Sequence, residues 1–352
     1  MKKTNRFFSI VLAFLLLLGA LPAVSLAADA KTVSFCSYNV AGLPDFKAFV
    51  GKGEKNVRQN QLDNGRILTA KGYDVIAVQE DFGYHNDLKS TLKGFDYETQ
   101  HTGGIPGGDG MNVYSRYPVY NETRTTWEKA YGVIANGADE MTPKGILYCV
   151  LDLGDGVLVD FYDVHVDAYG DQGSKEARRD NYRQVSELIN SRGTDRPVIV
   201  TGDFNAYFNM GKNDDGLSEY FLDSCGMKEA WVELHNGGDY KDFSSYFATG
   251  VPAWGNWDSA EKFFYRDGGG VKVNAESFVY EYLKNDSGAN LSDHALAAAV
   301  FSFEKTESFK QSDIKLSVTK RDSFNDFIKK IFVILTDFFK ALVHIDELKG
   351  EI

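Results

Sequence analysis

Val200-Thr-Gly-Asp-Phe-Asn205 starts as an apolar strand and ends on an acid and an amide. Two such groups, two residues apart at a strand end, emerge on one face, where they can orient a water and bond one phosphate oxygen. Taken alone, Gly202-Asp-Phe-Asn205 also describes a tight turn whose Asp and Asn bond only local backbone. Four other segments repeat the pattern of a hydrophobic strand closed by polar groups: Ser37-Tyr-Asn39, Val75-Ile-Ala-Val-Gln-Glu80, Tyr162-Asp-Val-His165-Val-Asp167, and Ser292-Asp293-His294 ahead of an apolar run. Together they point to phosphate chemistry assisted by a metal.

Working outward from these segments, β-rich runs are expected at 32–39, 74–79, 110–116, 145–153, 157–165, 197–202, 262–266, 276–283 and 295–303, with helices at 56–71 and 174–191. Gly- and Asp-rich turns separate them, and few helices among many strands suggest a sheet-dominated α/β sandwich. Ser174, followed by Glu176 and Ala177, reads as the N-cap of the second helix.

Phosphodiesters resist attack because negative oxygens shield the phosphorus, so catalysis depends on positioning and on neutralising developing charge. Mg²⁺ suits that task and takes oxygen ligands, usually one or two carboxylates. Glu80, a carboxylate closing an apolar strand, is the first candidate ligand; the bland alternative is a strand-end charge reaching solvent. His165 and His294 each supply a group that titrates near neutrality. His85, His101 and His235 have no partner motif and read as loop or surface residues, and without a His-Glu-x-x-His or Cys/His cluster a dedicated zinc site is not expected.

A net charge of −12 offers no general attraction to nucleic acid, which weakens a nuclease reading without excluding it. Cys36, Cys149 and Cys225 form no Cys-x-x-Cys pair, so no disulfide framework is expected, and Cys36 and Cys149 lie in strand patterns as small buried hydrophobes. Residues 1–27 join a basic start (Lys2, Lys3, Arg6), an apolar run and Ser25-Leu26-Ala27, which reads as a secretory signal peptide cleaved near Ala27. The expectation is therefore a secreted, extracellular monomer. A catalytic domain over 31–304, a polar connector over 305–321 and an amphipathic helical tail over 322–348 complete the organisation.

Taken in order, Ser37-Tyr-Asn39, Gln79-Glu80, His165-Val-Asp167, Gly202-Asp-Phe-Asn205 and Ser292-Asp-His294 resemble the endonuclease/exonuclease/phosphatase superfamily. The resemblance covers residues 32–303 and implies a four-layer α/β/β/α sandwich of two mixed sheets, with the site at one rim where strand ends meet. It implies one or two Mg²⁺ ions, with Glu80 a direct ligand, Asp293 reaching a second ion or its water, and Asn39 bonding the phosphate or the ligand. Asp203 and Asn205 then position water and scissile phosphate. His294 matches a general base or phosphate-binding histidine, and His165 one that stabilises the transition state or protonates the leaving oxygen. Many relatives carry an Asp ahead of the strand that here begins Glu261-Lys-Phe-Phe264, so Asp258 and Glu261 are rival supports for a catalytic histidine.

Tyr38-Asn-Val-Ala-Gly-Leu-Pro44 and His165-Val-Asp-Ala168 look more like the sphingomyelinase-like branch than like the abasic-site nucleases. A phospholipid-headgroup phosphodiesterase is the leading expectation. A secreted deoxyribonuclease-like endonuclease, an inositol-phosphate phosphomonoesterase and a non-catalytic binding module remain as alternatives. The tail helix, whose apolar face runs from Phe324 to Ile345, and the aromatic loop Pro252–Trp257 are candidate contacts with a membrane surface. Arg178, Arg179 and Arg183 could grip phosphate, but read first as a solvated helix face.

Overall fold

A computed structural model describes residues 30–43, 56–105, 107–132, 139–140, 142–208, 216–242 and 259–318. The signal-peptide segment, Asp258, the aromatic loop at 252–257 and the tail helix lie outside the described residues. Two β-α-β units organise the rest. β1 (Lys31–Asn39) runs through α1 (Val57–Lys71) to its parallel neighbour β2 (Val75–Gln79). After α2 (His85–Thr91), β3 (Tyr97–Glu98), β4 (Asn112–Ser115), β5 (Val119–Thr126) and β6 (Gly145–Asp152), β7 (Leu158–His165) runs through α3 (Gln172–Ser191) to its parallel neighbour β8 (Val198–Asp203). After a helical stretch made of a π-helical turn (Ser218–Leu222) and a short α-helical turn (Asp223–Cys225), β9 (Lys228–Glu229), α4 (Ala230–His235), β10 (Glu261–Arg266), β11 (Val271–Glu281) and β12 (Leu296–Lys305) complete the order of the described elements.

The strands form two mixed six-stranded sheets, ordered β11-β12-β1-β2-β4-β3 and β5-β6-β7-β8-β10-β9. Strand alternation sends Val33, Phe35, Val75 and Ala77 inward to meet Phe161, Phe263 and Phe301 of the inter-sheet core; Phe35 stacks on Phe161 at 5.8 Å between ring centroids. The opposite faces are covered by helices. Cys36, Tyr38, Ile76 and Val78 pack with Leu68 of α1 and Leu88 of α2, while Tyr182, Val185 and Ile189 of α3 pack on the second sheet. The architecture is thus the expected four-layer α/β/β/α sandwich. Cys36, Cys149 and Cys225 are buried and free. No described helix is long and apolar enough to cross a membrane.

Several local expectations need correction. The N-cap of α3 is Asp171, whose carboxylate accepts from Ser174 N; Ser174 already lies inside the helix. Arg178 is only 2% exposed and donates to the Asp167 carbonyl, so it ties helix to strand end and is not solvated. β5 was not expected because Val-Tyr-Asn-Glu-Thr-Arg-Thr-Thr, on a sheet edge, has no apolar alternation. Residues 306–318, read as a connector, lie against the domain: Phe309, Ile314 and Leu316 pack on its core, and Asn121 N donates to Ser317 O.

Candidate active site

Ligands of α/β sheets gather at the carboxyl ends of parallel strands, and all four parallel strand ends here carry site residues. Register fixes them as neighbours. Asn39 aligns with Gln79 and His165 with Asp203, while antiparallel β10 brings Glu261 opposite Asp203. Antiparallel β12 pairs Ala297 with Ser37, which carries His294 to the end of β1. Ser292 locks this corner, since its hydroxyl donates to Asn39 O at 2.7 Å and accepts from His294 N at 3.0 Å.

Glu80 requires a backbone exception. Alternation puts Val75, Ala77 and Gln79 inward, so a regular strand would turn residue 80 toward the helices. A left-handed φ of +59° swings it back to the rim, where its Oε1 accepts from Asn39 Nδ2 at 3.1 Å. Ala41, Tyr169 and Asn205 also hold positive φ just beyond β1, β7 and β8, at +48°, +67° and +48°. Such conformations cost of order 1–3 kcal/mol each and cluster at functional sites. Four around one rim mark it independently of its chemistry.

Asp203 is the hub. Its Oδ2 accepts from Asn39 Nδ2 at 3.2 Å and lies 3.5 Å from His165 Nε2 and 3.7 Å from His294 Nδ1. Its Oδ1 accepts from Asn205 N at 3.0 Å, and Asn205 Nδ2 donates to Val166 O at 2.9 Å. The turn reading of Gly-Asp-Phe-Asn therefore describes one side of this segment and the site reading the other. His294 Nδ1 lies 2.5 Å from Glu261 Oε1, which makes the fully buried Glu261 its supporting acid. The proton belongs on Nδ1, leaving Nε2 for the opening. Ser259 Oγ secures the other oxygen of Glu261. Asp293 is exposed at the rim, close enough to Glu80 for its charge to act there.

The charges are strongly coupled. Burial raises the Glu80 carboxyl, opposed by Lys144, Asn39 and His294, with Asp293 adding to the rise. Burial likewise raises Asp203, against which His294 and Lys144 work. Burial, Lys144 and His294 together push His165 well below the usual imidazole range, so it is neutral. Burial also disfavours a charge on His294, yet the Glu261 and Asp203 carboxylates prevail and hold it up to about 10.

Lys144 was not anticipated. It is 7% exposed, pairs with Asp139, and its charge reaches Glu80 and Asp203. The only signal in the sequence is a lysine opening the apolar run Gly145–Val150. Asp139 in turn accepts from Ala168 N at 3.1 Å, beyond the end of β7.

A second polar cluster lies beyond Glu80 and gives partners to two histidines that were read as loop or surface residues without any. Asp81 Oδ2 accepts from Asn112 Nδ2 at 2.9 Å and meets His85 Nδ1 at 2.7 Å, while His101 Nε2 meets Asp81 O at 3.0 Å. The imidazoles stack 3.9 Å apart at 10°, beside a surface pocket of about 440 Å³. Asp81, His85 and His101 each offer a ligand atom within 4.8 Å of the other two, a grouping that could hold a metal ion.

A four-layer sandwich whose parallel strand ends join acids, amides and imidazoles defines a class of proteins. The endonuclease/exonuclease/phosphatase family model matches residues 36–271, and the chain belongs to that family. It is 32% identical over 278 residues to sphingomyelinases of Mycobacterium tuberculosis and Mycobacterium bovis, a match covering 77% of this chain and 52% of each relative. The chain thus spans about half the length of the curated relatives it matches. Among solved structures, zebrafish (D. rerio) TDP2 complexed with single-strand DNA product matches with a TM-score of 0.54 and 17% identity, over 77% of this chain and 99% of that one. Sphingomyelinase C from Streptomyces griseocarneus matches with a TM-score of 0.51 and 17% identity, over 78% and 99%. A mutant beta toxin from Staphylococcus aureus with bound magnesium ions gives 0.52 and 15%, over 76% and 98%. At these identities the structural likeness establishes the fold.

Proposed function

We propose that this protein is a secreted, Mg²⁺-dependent phosphodiesterase that cleaves a phospholipid headgroup, in the manner of a sphingomyelinase. The observation that carries the reading is the meeting of Asn39, Glu80, His165, Asp203 and His294 on one rim, in a chain 32% identical to sphingomyelinases. The donor set fits a hard divalent cation. Four carboxylates, Glu80, Asp203, Glu261 and Asp293, face two cationic groups, Lys144 and His294, and Lys144 is already paired with Asp139. Glu80 and Asp293 would hold the ion, and when bound it would neutralise phosphate charge and polarise a phosphoryl oxygen.

The remaining work falls to the chain. Asn205 Oδ1, its amide nitrogen fixed on Val166 O, and Asp203 accept hydrogen bonds from the attacking water and aim it at phosphorus. Asp203, whose affinity for a proton burial raises, takes the proton that the water loses. His294 presents Nε2–H to a phosphoryl or leaving oxygen, with Glu261 stabilising its positive charge. Neutral His165 braces Asp203 from behind. Asn39 holds Glu80 and Asp203 at a fixed separation through one amide.

A net charge of −12 favours a lipid over a polyanionic nucleic acid as substrate. The test supplies the purified protein with sphingomyelin vesicles and supercoiled plasmid side by side, with Mg²⁺ and with EDTA. Phosphocholine release that EDTA abolishes, without nicking, is the expected result. Nicking without phosphocholine release selects the nuclease reading, and neither activity selects a binding module.

A further inference from the structure

Beside and below the site residues, the inner faces of the strands carry further polar groups that the chemistry above does not use. Ser37 lies two residues before Asn39, Gln79 one before Glu80, Asp163 two before His165 and Thr201 two before Asp203. All four are fully buried. One step deeper the strands are apolar: Phe35, Val75, Phe161 and Ile199. Thr201 is satisfied by donating to Lys262 O at 2.7 Å. The others meet between the sheets, where Gln79 Nε2 lies 2.6 Å from Asp163 Oδ1 and 3.3 Å from Ser37 Oγ.

This pair leaves two acceptors over, since Gln79 Oε1 and Asp163 Oδ2 are both buried and neither finds a donor among the described residues. An ionised carboxylate can only accept hydrogen bonds, so it cannot serve the amide oxygen beside it. A carboxylic acid can. With a proton on Oδ2, Asp163 donates to Gln79 Oε1 while Oδ1 accepts from Gln79 Nε2, and both leftover oxygens are satisfied in one head-to-head ring. We infer that Asp163 is a neutral carboxylic acid closing a paired ring with Gln79, and that this ring is a positioning device that fixes the strand of Glu80 against the strand of His165.

The surroundings agree with a neutral group. Burial pushes the Asp163 carboxyl well above the usual range, and Gln79 and Arg124, which oppose the rise, do not overcome it; Asp109 and Asp203 add to it. Gln79 and Asp163 join the two sheets, and each lies within two residues of a site group. The register of Glu80 relative to His165 therefore depends on a contact that touches neither substrate nor ion.

Two measurements test the inference, and they fail separately. The first is an infrared difference spectrum of wild type minus Asp163→Asn. The expected result is a protonated-carboxyl C=O band assigned to Asp163 that persists from pH 5 to pH 9; carboxylate bands alone would overturn the neutral acid. This arm does not depend on the activity being the one proposed.

The second arm rests on the phosphodiesterase reading and uses turnover of a soluble phosphodiester. Asp163→Asn can form the same ring, amide to amide, and should stay within about twofold of wild-type kcat. Asp163→Leu should lose tenfold or more in kcat with KM changed less than twofold. Combining it with Gln79→Met replaces both partners by apolar groups, which restores folding stability because no polar group is stranded. Kcat should stay low in that double variant. A double variant that recovers turnover with stability, or an Asp163→Leu protein with normal kcat, would overturn the positioning role. Absence of turnover in wild type would count against the proposed function and leave the infrared result standing.

Discussion

Replacing Glu261 by glutamine keeps the side-chain shape and removes the charge 2.5 Å from His294 Nδ1. Burial works against a charged imidazole at that position, and Glu261 followed by Asp203 overcomes it, holding His294 at about 10 against an ordinary 6.5. A hydrogen bond to a charged partner is worth roughly 1.5–3 kcal/mol. At about 1.4 kcal/mol per pH unit, losing it should bring His294 down by roughly one to two units. Because the folded-state value is raised, the stabilisation from protonated His294 is fully present below its unfolded value and is lost as pH rises toward 10. In Glu261→Gln that loss should be complete about one to two units earlier. Ring-proton NMR titration of His294, with urea unfolding at pH 6 and pH 9, measures both effects. A titration midpoint that stays put or rises in the variant would refute the assignment of Glu261 as the supporting acid.

Lys144→Met strands Asp139 and removes positive charge from Glu80 and Asp203; breaking a buried pair typically costs about 3–5 kcal/mol, measurable by denaturant unfolding, and turnover should fall with it. Gly202→Ala should be worse than an ordinary glycine substitution, because φ is +133° and the new Cβ would lie 2.0 Å from Val164 O. Thermal unfolding should show a large drop, and a normal melting temperature would mean that β7 and β8 are not held as described. Burial, then Asp139, pushes Asp167 up to about 7, so the folded state binds a proton that the unfolded state releases near 3.8, and stability falls as pH rises between those values. Asp167→Asn should flatten that slope in urea unfolding between pH 4 and pH 8.

The sandwich was legible because its strands alternate or run apolar and its main helices sit between them; Val75–Gln79 and Leu158–His165 were each placed to within a residue. Polar edge strands were not, since β5 gains its pairing from β6 and not from its own pattern. The residues now seen around the site were legible as strand ends, because a carboxylate or amide after an apolar run has no packing reason to be there. What register and long-range approach decide was hidden. Lys144 resembles any strand-opening lysine until Asp139 is folded against it, and the rivalry between Asp258 and Glu261 turned on the pairing of β10 with β8. The positive φ of Glu80 has no sequence signature, yet it turns that carboxylate to the rim.

Phosphocholine release from sphingomyelin vesicles by Glu80→Gln, His294→Ala and the double variant tests most directly whether distant strand ends act as one centre. Each single variant should lose about 10²-fold or more in kcat, and the double should be little worse than the poorer single, as groups acting together require. Undiminished turnover in either single variant, or losses in the double that simply multiply, would contradict a shared site.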